Sequence, residues 1–233
     1  MKKIAIMGTG SVGQAFASKF IALGYEVMLG TRNVSEKLAD TTKDGYGNPP
    51  FSEWNVKNRT VKLGTFEEAA SFGEIILNAT MGAKSIAALK MAGVKNLNGK
   101  ILIDVANPLD LSKGMPPSLL PELSNTKSLG EEIQQTFPDV KVVKTLNTMW
   151  NGLMVNPGML NGGDHSVFIS GNSPEAKEKV KDILKSFGWP EKNILDLGDI
   201  SSARGTEMYL PLWLRIFGAT SNGAFNIKIV SLK

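Results

Sequence analysis

The sequence predicts an α/β fold, a doubly wound and mostly parallel sheet, and three observations carry the prediction. An apolar strand, Lys2-Lys3-Ile4-Ala5-Ile6-Met7, runs straight into Gly8-Thr9-Gly10-Ser11-Val12-Gly13 and then into a helix pattern from Gln14 to Leu23. Strand and helix patterns go on alternating through the first half of the chain, which is the signature of right-handed βαβ units. A second short strand, Glu26-Val27-Met28-Leu29-Gly30, ends in Thr31-Arg32-Asn33, about twenty residues after the glycines.

Taken in order, the elements are a strand over 2–7, a helix over 12–23, a strand over 25–30, a helix from Ser35 and a strand over 60–63. A helix over 65–71, a strand over 74–79, a helix over 83–91 and a strand over 100–105 follow. The Gly- and Pro-rich stretch 44–50 reads as a loop and leads into a short helix around Trp54. Thr65 and Glu68 have the spacing of a capping box, and Ser128 with Glu131 repeats it at the next helix start. Between them, residues 109–127 are irregular and long enough for a flexible loop over a site. A strand over 140–145, the Asn147-Thr148-Met149-Trp150 turn, a strand over 166–170, a helix over 174–187 and a strand over 194–197 come next. A long apolar helix over 202–221 and a final strand over 225–230 close the chain. The whole reads as a single Rossmann-like domain, 1–233, with a core over 1–150 and an extension over 151–233 that lengthens the sheet and closes over the site. The chain left after the strand at 140–145 is too short for a large helical second domain.

The chemistry of the first turn is specific because strand, glycines and helix occur together. Gly8 permits the tight turn, Gly10 lets the backbone approach a pyrophosphate, and Gly13 brings helix and strand into contact, while the helix N-terminus offers free N–H groups and a positive dipole. Thr9, Ser11 and Val12 fill out this phosphate cradle. Where NAD-binding folds place a carboxylate on the ribose hydroxyl, this chain has Thr31 and Arg32, with Lys37 as a further cation. A guanidinium beside a hydroxyl matches a 2′-phosphate in charge and geometry, so the cofactor is expected to be NADP.

The remaining strand ends supply the other candidates, because ligands of open α/β sheets sit beyond the carboxyl ends of the strands. Ala79, Thr80 and Met81 should lie along the cofactor. Asn107-Pro108 either sets a rigid turn near the nicotinamide or is simple turn punctuation. Asn147 and Thr148 either hold a carboxamide or ring edge or cap the strand, and Met149 with Trp150 offers flat apolar surface. His165, the single histidine, falls in a polar loop and is expected to be exposed. Arg204 and Glu207 have the spacing of a helical surface pair. Leu210, Trp213, Leu214 and Phe217 read as core or dimer interface rather than as a cofactor box.

Composition closes off other classes. In 233 residues there is no cysteine and one histidine, which removes thiol nucleophiles, disulfides and Cys- or His-rich metal centres. A net charge of +4 comes without a basic cluster interleaved with aromatics, so nucleic acid is not an expected partner. The lysine- and acid-rich stretch 174–192 reads as a solvated helix face. The longest apolar run is broken by Pro211 and Arg215 and is too short to span a bilayer; with no leader before the first strand, a soluble cytoplasmic protein is expected. No residue pair occupies a place suited to proton abstraction. Hydride transfer to a carbonyl calls for a positioned acid, whereas transfer to a flavin-like ring calls chiefly for stacking.

Several of these segments together resemble the coenzyme F420-dependent NADP oxidoreductase family and, more distantly, the cytosolic domain of the transmembrane ferric reductases. The pieces are Gly8-Thr9-Gly10-Ser11-Val12-Gly13, Gly30-Thr31-Arg32, Ile103-Asp104-Val105-Ala106-Asn107-Pro108 and Val143-Lys144-Thr145-Leu146-Asn147-Thr148. The most specific is Asp196-Leu197-Gly198-Asp199-Ile200-Ser201-Ser202-Ala203-Arg204 with Glu207, outside the generic nucleotide fold. The resemblance covers nearly the whole chain. It implies NADP at the first two pieces and an F420 or flavin (FMN or FAD) ring over the nicotinamide, near Asn147 and the C-terminal segment. Asn147 departs from the family pattern, which carries a histidine there. The expected activity is hydride transfer between NADP(H) and such a planar cofactor, positioned by Asn147, Thr148 and Met149. The alternatives are reduction of a small imine or carbonyl and a non-catalytic NADP-binding redox sensor.

Overall fold

The computed structural model describes residues 2–43 and 47–232. Its centre is an eight-stranded sheet in the order β10-β9-β8-β5-β4-β1-β2-β3. The strands are β1 (Lys3–Met7), β2 (Glu26–Thr31), β3 (Lys62–Thr65), β4 (Ile75–Asn78), β5 (Ile101–Asp104), β8 (Lys141–Thr145), β9 (Val167–Ser170) and β10 (Ile194–Asp196). Its pairings are parallel apart from β8 with β9, which run antiparallel. Both faces are covered, which is why the central strands are apolar on both sides. One face packs Ile4, Ile6, Phe16, Phe20, Ile103, Val143 and Trp189, and the other Ala5, Met7, Ile76, Leu89, Leu102, Ile133 and Val142.

The helices are α1 (Ser11–Ala22), α2 (Val34–Ala39), α3 (Phe51–Lys57), α4 (Phe66–Phe72), α5 (Gly82–Ala92), α6 (Val94–Leu97), α7 (Leu129–Thr136), α8 (Asn151–Val155), α9 (Pro174–Phe187), α10 (Ala203–Met208) and α11 (Leu210–Thr220). Thr65 and Glu68 form the full capping box at α4. At α7, Ser128 Oγ accepts from the Glu131 N–H, but Glu131 turns its carboxylate to the Ser128 hydroxyl and to Arg204 instead of to the cap backbone. Among the described residues no helix is long and apolar enough to cross a membrane.

Several expectations change. The stretch 109–127 is not featureless: β6 (Leu109–Asp110) and β7 (Ser118–Leu119) form a small antiparallel hairpin, followed by a 3-10 turn over Pro121–Leu123. The loop expected over 44–50 is seen over 47–50, and residues 44–46 lie outside the described residues. The long C-terminal helix is broken into a 3-10 turn (Ile200–Ser202), α10 and α11, with the break at Tyr209 and Pro211 at the start of α11. The expected last strand, 225–230, forms no ladder. The tail is tied to Ser166 instead, by Ser166 N–H to Ile227 O at 2.8 Å and Ile229 N–H to Ser166 Oγ at 3.0 Å. Lys177 is not solvated as its stretch suggested: it is nearly buried and donates to Asp196 and to the Gly198 carbonyl.

The strand order reverses between β1 and β4, and there the backbone leaves no room. Gly8 has φ +116°, and a Cβ on it would stand 2.5 Å from the Ala79 carbonyl oxygen; one on Gly13 would stand 2.2 Å from the Gly8 carbonyl oxygen. Gly8→Ala should therefore lower the unfolding free energy by about 3 kcal/mol, the cost of a forbidden backbone conformation, before any clash is counted. Urea unfolding checks this. An unchanged midpoint would mean that the turn is not packed as described.

Candidate functional site

A cleft of about 750 Å³ opens along the carboxyl ends of β1, β4, β5 and β8. This is where the reversal of strand order leaves a crevice. The β1 side contributes Ser11 and Val12; the β4 side contributes Ala79, Thr80, Met81 and Gly82; the β5 and β8 ends contribute Ala106, Asn107, Asn147 and Met149. A smaller hollow of about 450 Å³ lies beside it, reached over Gly10 and Ser11, and carries Thr9, Lys37, Lys43 and Lys57.

The glycine turn is open at one glycine and closed by the protein's own backbone at the other two. Among the described residues nothing lies within 4 Å of a Cβ placed on Gly10, whereas Gly8 and Gly13 are closed by backbone. Gly10 also has an extended backbone that any residue adopts, so its missing side chain serves no internal contact. Helix α1 begins there without a side-chain cap and without an acidic residue in its first turn, leaving its N–H groups and positive end directed outward. The Gln14 amide holds the turn by donating to the Thr9 carbonyl at 2.9 Å. These features fit a dinucleotide pyrophosphate.

Thr31 and Arg32 stand at the carboxyl end of β2, beside this turn, which is anchored by Gly8 N–H to Gly30 O at 3.0 Å; neither belongs to the lining of the two hollows. Arg32 is exposed. Lys37 pairs with Asp40 at 3.1 Å, and hydrogen bonds from Thr42, helped by Lys37, pull the Asp40 carboxyl down to about 2.

At the other end, Asn107 and Asn147 clasp each other. Asn107 Nδ2 donates to the Asn147 carbonyl at 2.8 Å, and Asn147 Nδ2 donates to Asn107 Oδ1 at 2.9 Å. The clasp depends on Leu146, which is buried in the left-handed region at φ 61° and turns the chain sharply at the end of β8. Such strain in a branched residue persists only where the surroundings over-determine it. Thr148 is buried and lies outside the cleft wall, unlike its neighbours Asn147 and Met149.

The far wall was read from sequence as core or dimer interface rather than as a cofactor box; Leu210 and Leu214 are buried as a core reading expects, but all four residues also face the cleft. Leu210, Trp213, Leu214 and Phe217 line the cleft, together with Ser221, Asn222, Gly223 and Ala224 from the tail. Trp213 stacks on Phe217 at 5.5 Å and 10°, and on Phe225 at 5.3 Å and 16°, making a flat slab. Trp150 folds over Gly152, where a Cβ would meet its ring at 2.4 Å. Periodicity could not separate a helix face turned to a core from one turned to a cleft.

Two further readings are overturned. His165 is 2% exposed, not a surface loop residue. Its Nε2 lies 3.0 Å from the Pro157 carbonyl, its Nδ1 accepts from Asn226 Nδ2 at 2.7 Å, and its ring meets Trp189 edge-on. Arg204 and Glu207 do not pair. Arg204 takes Glu131 through two hydrogen bonds, and Glu207 points into the sheet, because the break before α11 sets α10 on the α7 N-terminus.

There Glu207 completes a buried group that sequence reasoning missed. Asn78, Asp104 and Lys144 are register mates in the last row of the sheet. Lys144 Nζ lies 2.8 Å from Asp104 Oδ2 and 2.8 Å from Glu207 Oε1, and donates to the Ala106 carbonyl at 2.5 Å. Asp104 Oδ1 accepts from Asn78 Nδ2 and the Ala106 N–H. Glu207 accepts from Leu129 N–H at 2.8 Å and Gly130 N–H at 3.0 Å, the start of α7. Asp104 and Glu207 hold the Lys144 ammonium above the usual lysine range against its burial, while burial pushes the Glu207 carboxyl up. The signal for this group was one carboxylate at the end of the otherwise apolar β5 and one lysine, Lys144, following Val142 and Val143 in β8.

Lys144→Met should cost about 3–5 kcal/mol, because it strands two buried carboxylates. Denaturant unfolding should show Asp104→Asn recovering part of that loss in the same background. Full stability in the single variant would mean that the three groups are not buried together.

The family profile described as NADP oxidoreductase coenzyme F420-dependent matches residues 3–108. A solved protein from Arthrobacter sp. FB24, described as a "putative f420 dependent nadp-reductase", is 52% identical, covers 99% of this chain and 100% of its own, and superimposes with a TM-score of 0.92. Rat metalloreductase STEAP3 is 27% identical over 91% of this chain, which spans 38% of that protein's length. An imine reductase from Streptomyces aurantiacus shares the fold, with 17% identity, a TM-score of 0.60 and coverage of 94% of this chain and 63% of its own.

Proposed function

The chain belongs to the coenzyme F420-dependent NADP oxidoreductase family and is an NADP-dependent oxidoreductase, and from that premise we propose that it moves hydride between NADP(H) and a planar redox ring, F420 or a flavin such as FMN or FAD, laid in the cleft. NADPH, when bound, supplies the hydride. The observation that carries this reading is the character of the cleft wall: among the described residues no ionisable side chain lines it, while Trp150, Trp213 and Phe217 give it flat apolar surface. A carbonyl substrate calls for a placed proton donor as charge builds on its oxygen. A ring that spreads two electrons over its own π system calls mainly for parallel approach, and takes its proton from solvent.

The division of labour follows the strand ends. Gly8, Gly10, Gly13 and the α1 N-terminus, with Thr9, Ser11 and Val12, would hold the pyrophosphate; Thr31, Arg32 and Lys37 would take the 2′-phosphate; and Ala79, Thr80 and Met81 would flank the ribose. The Asn107–Asn147 clasp presents fixed amide groups for the nicotinamide carboxamide, with Met149 beside them. The aromatic slab excludes water and sets the approach of the acceptor. A homodimer through α11 and the tail belongs to this reading, supported by the exposure of Leu212, Val230 and Leu232.

Mixing the protein with NADPH and F420, FMN, FAD, a cyclic imine or a small ketone, and following the nicotinamide absorbance, tests the acceptor. Oxidation by the ring compounds is expected, and oxidation by the imine or ketone alone would sink the proposal. Arg32→Ala should weaken NADPH binding by about ten- to a hundredfold and leave NADH nearly unchanged, the scale of one charged hydrogen bond. Gly10→Val should abolish NADPH binding with an unaltered melting temperature, since the protein itself leaves that space open. Calorimetric titration distinguishes both outcomes from general damage to the fold.

A further inference from the structure

The Asp104–Lys144–Glu207 triad sits one residue beneath the cleft wall. It sets two carboxylates against one ammonium. Glu207 has both oxygens occupied by donors, from Leu129, Gly130 and Lys144, so nothing in its surroundings accepts a proton from it. The α7 N-terminus meets part of its charge. Asp104 shares Lys144 with it, and its other oxygen sees only the neutral Asn78 amide and Ala106 N–H. The uncompensated negative charge therefore lies on the Asp104 side, towards the cleft. Ala106 and Thr80 are wall residues, and Thr80 hydrogen-bonds to the same Asn78 amide through its hydroxyl at 2.7 Å. The Arg204–Glu131 pair beside the triad is neutral as a unit and does not offset it.

We infer that this triad is an electrostatic positioning group for the redox centre, its net negative charge favouring the oxidised, cationic nicotinamide over the reduced, neutral one. The inference rests on the proposed placement of the nicotinamide beside Asn107 and Asn147. A buried charge is screened less here than in water, because the surroundings are poorly polarisable and, among the described residues, no ionisable side chain lines the wall. The ionic arrangement also explains why a lysine stands in a row where an apolar residue would pack without desolvation cost.

The test is the ratio of two dissociation constants, measured by equilibrium titration of NADP+ and NADPH separately. The wild-type protein should hold NADP+ at least as tightly as NADPH. Asp104→Asn should weaken NADP+ by about tenfold and leave NADPH within about twofold, since only the oxidised ring carries a charge for Asp104 to attract. For a two-electron couple that tenfold change is a shift of about 30 mV in the potential of the bound cofactor. Equal weakening of both forms would mean a purely structural triad and would overturn the inference. Should Asp104→Asn fail to fold, Glu207→Gln is expected to move the ratio in the same direction, and an unmoved ratio in that variant overturns it too. A tenfold preference of the wild type for NADPH overturns it without any variant. A protein that bound neither form would instead bring down the nucleotide-site reading on which the inference stands.

Discussion

The last row of the parallel sheet sets the terms for everything around the cleft. Asn78, Asp104 and Lys144 stand side by side at the carboxyl ends of β4, β5 and β8, with no exposed surface beyond about 1%. Buried groups of this kind must satisfy one another, since water is not there to do it. They recruit Ser85 and Thr80 from the β4–α5 segment, the Ala106 backbone from the β5 end, and Glu207 from a helix 63 positions beyond Lys144 in the chain. Each recruited segment is also a wall of the cleft or leads directly to one. The polar row thus fixes the relative positions of the strand ends, and a change in any member is felt at the site.

Such a group is weak evidence for stability as such, because the desolvation of three charges consumes most of what their attraction returns. Its value lies in specificity. Only one placement of α10 lets Glu207 reach both Lys144 and the first N–H groups of α7. That placement also brings Arg204 onto Glu131 and begins α11 where Leu210, Trp213 and Phe217 face the cleft. Apolar packing alone would tolerate a helix rotated by part of a turn. Directional hydrogen bonds to a buried carboxylate do not.

Much of the first half was legible because local chemistry decided it. The glycine turn, the parallel strand pattern from β1 to β5 and the Thr65 capping box depend on neighbours within a few residues, and pattern reads such neighbours well. The antiparallel β9, the broken C-terminal helix and the missing last strand depend on contacts far apart in the chain, which no period reveals. Among site residues, Asn107 and Asn147 were recognised singly as strand-end asparagines, but their clasp needed Leu146 in the left-handed region, and a leucine gives no sign of that conformation. Asp104 and Lys144 lay in quoted motifs and were still missed as a pair. Charged residues at strand ends are read as edges of the sheet until a neighbouring strand is placed beside them.

His165 shows how a residue typed for chemistry is used for architecture. With Nε2 against the Pro157 carbonyl, that nitrogen is the protonated one, and Nδ1 is left as an acceptor for Asn226. The same Asn226 amide donates to the Ser166 carbonyl at 2.8 Å, and Ser166 in turn receives Ile229 and donates to Ile227. The tail therefore has no ladder to join, yet it is held through one imidazole and one serine at the start of β9. Residues 222–224, immediately before this anchor, form part of the cleft wall; a Cβ placed on Gly223 would stand 3.4 Å from the Trp213 ring, and Phe225 stacks on that ring. An imidazole suits that task because its two nitrogens face different partners, the Pro157 carbonyl and the Asn226 amide, and so it fixes the direction of the segment it ties. The single histidine of the chain shapes the far wall of the cleft from outside it, and among the described residues the wall itself is left free of ionisable groups.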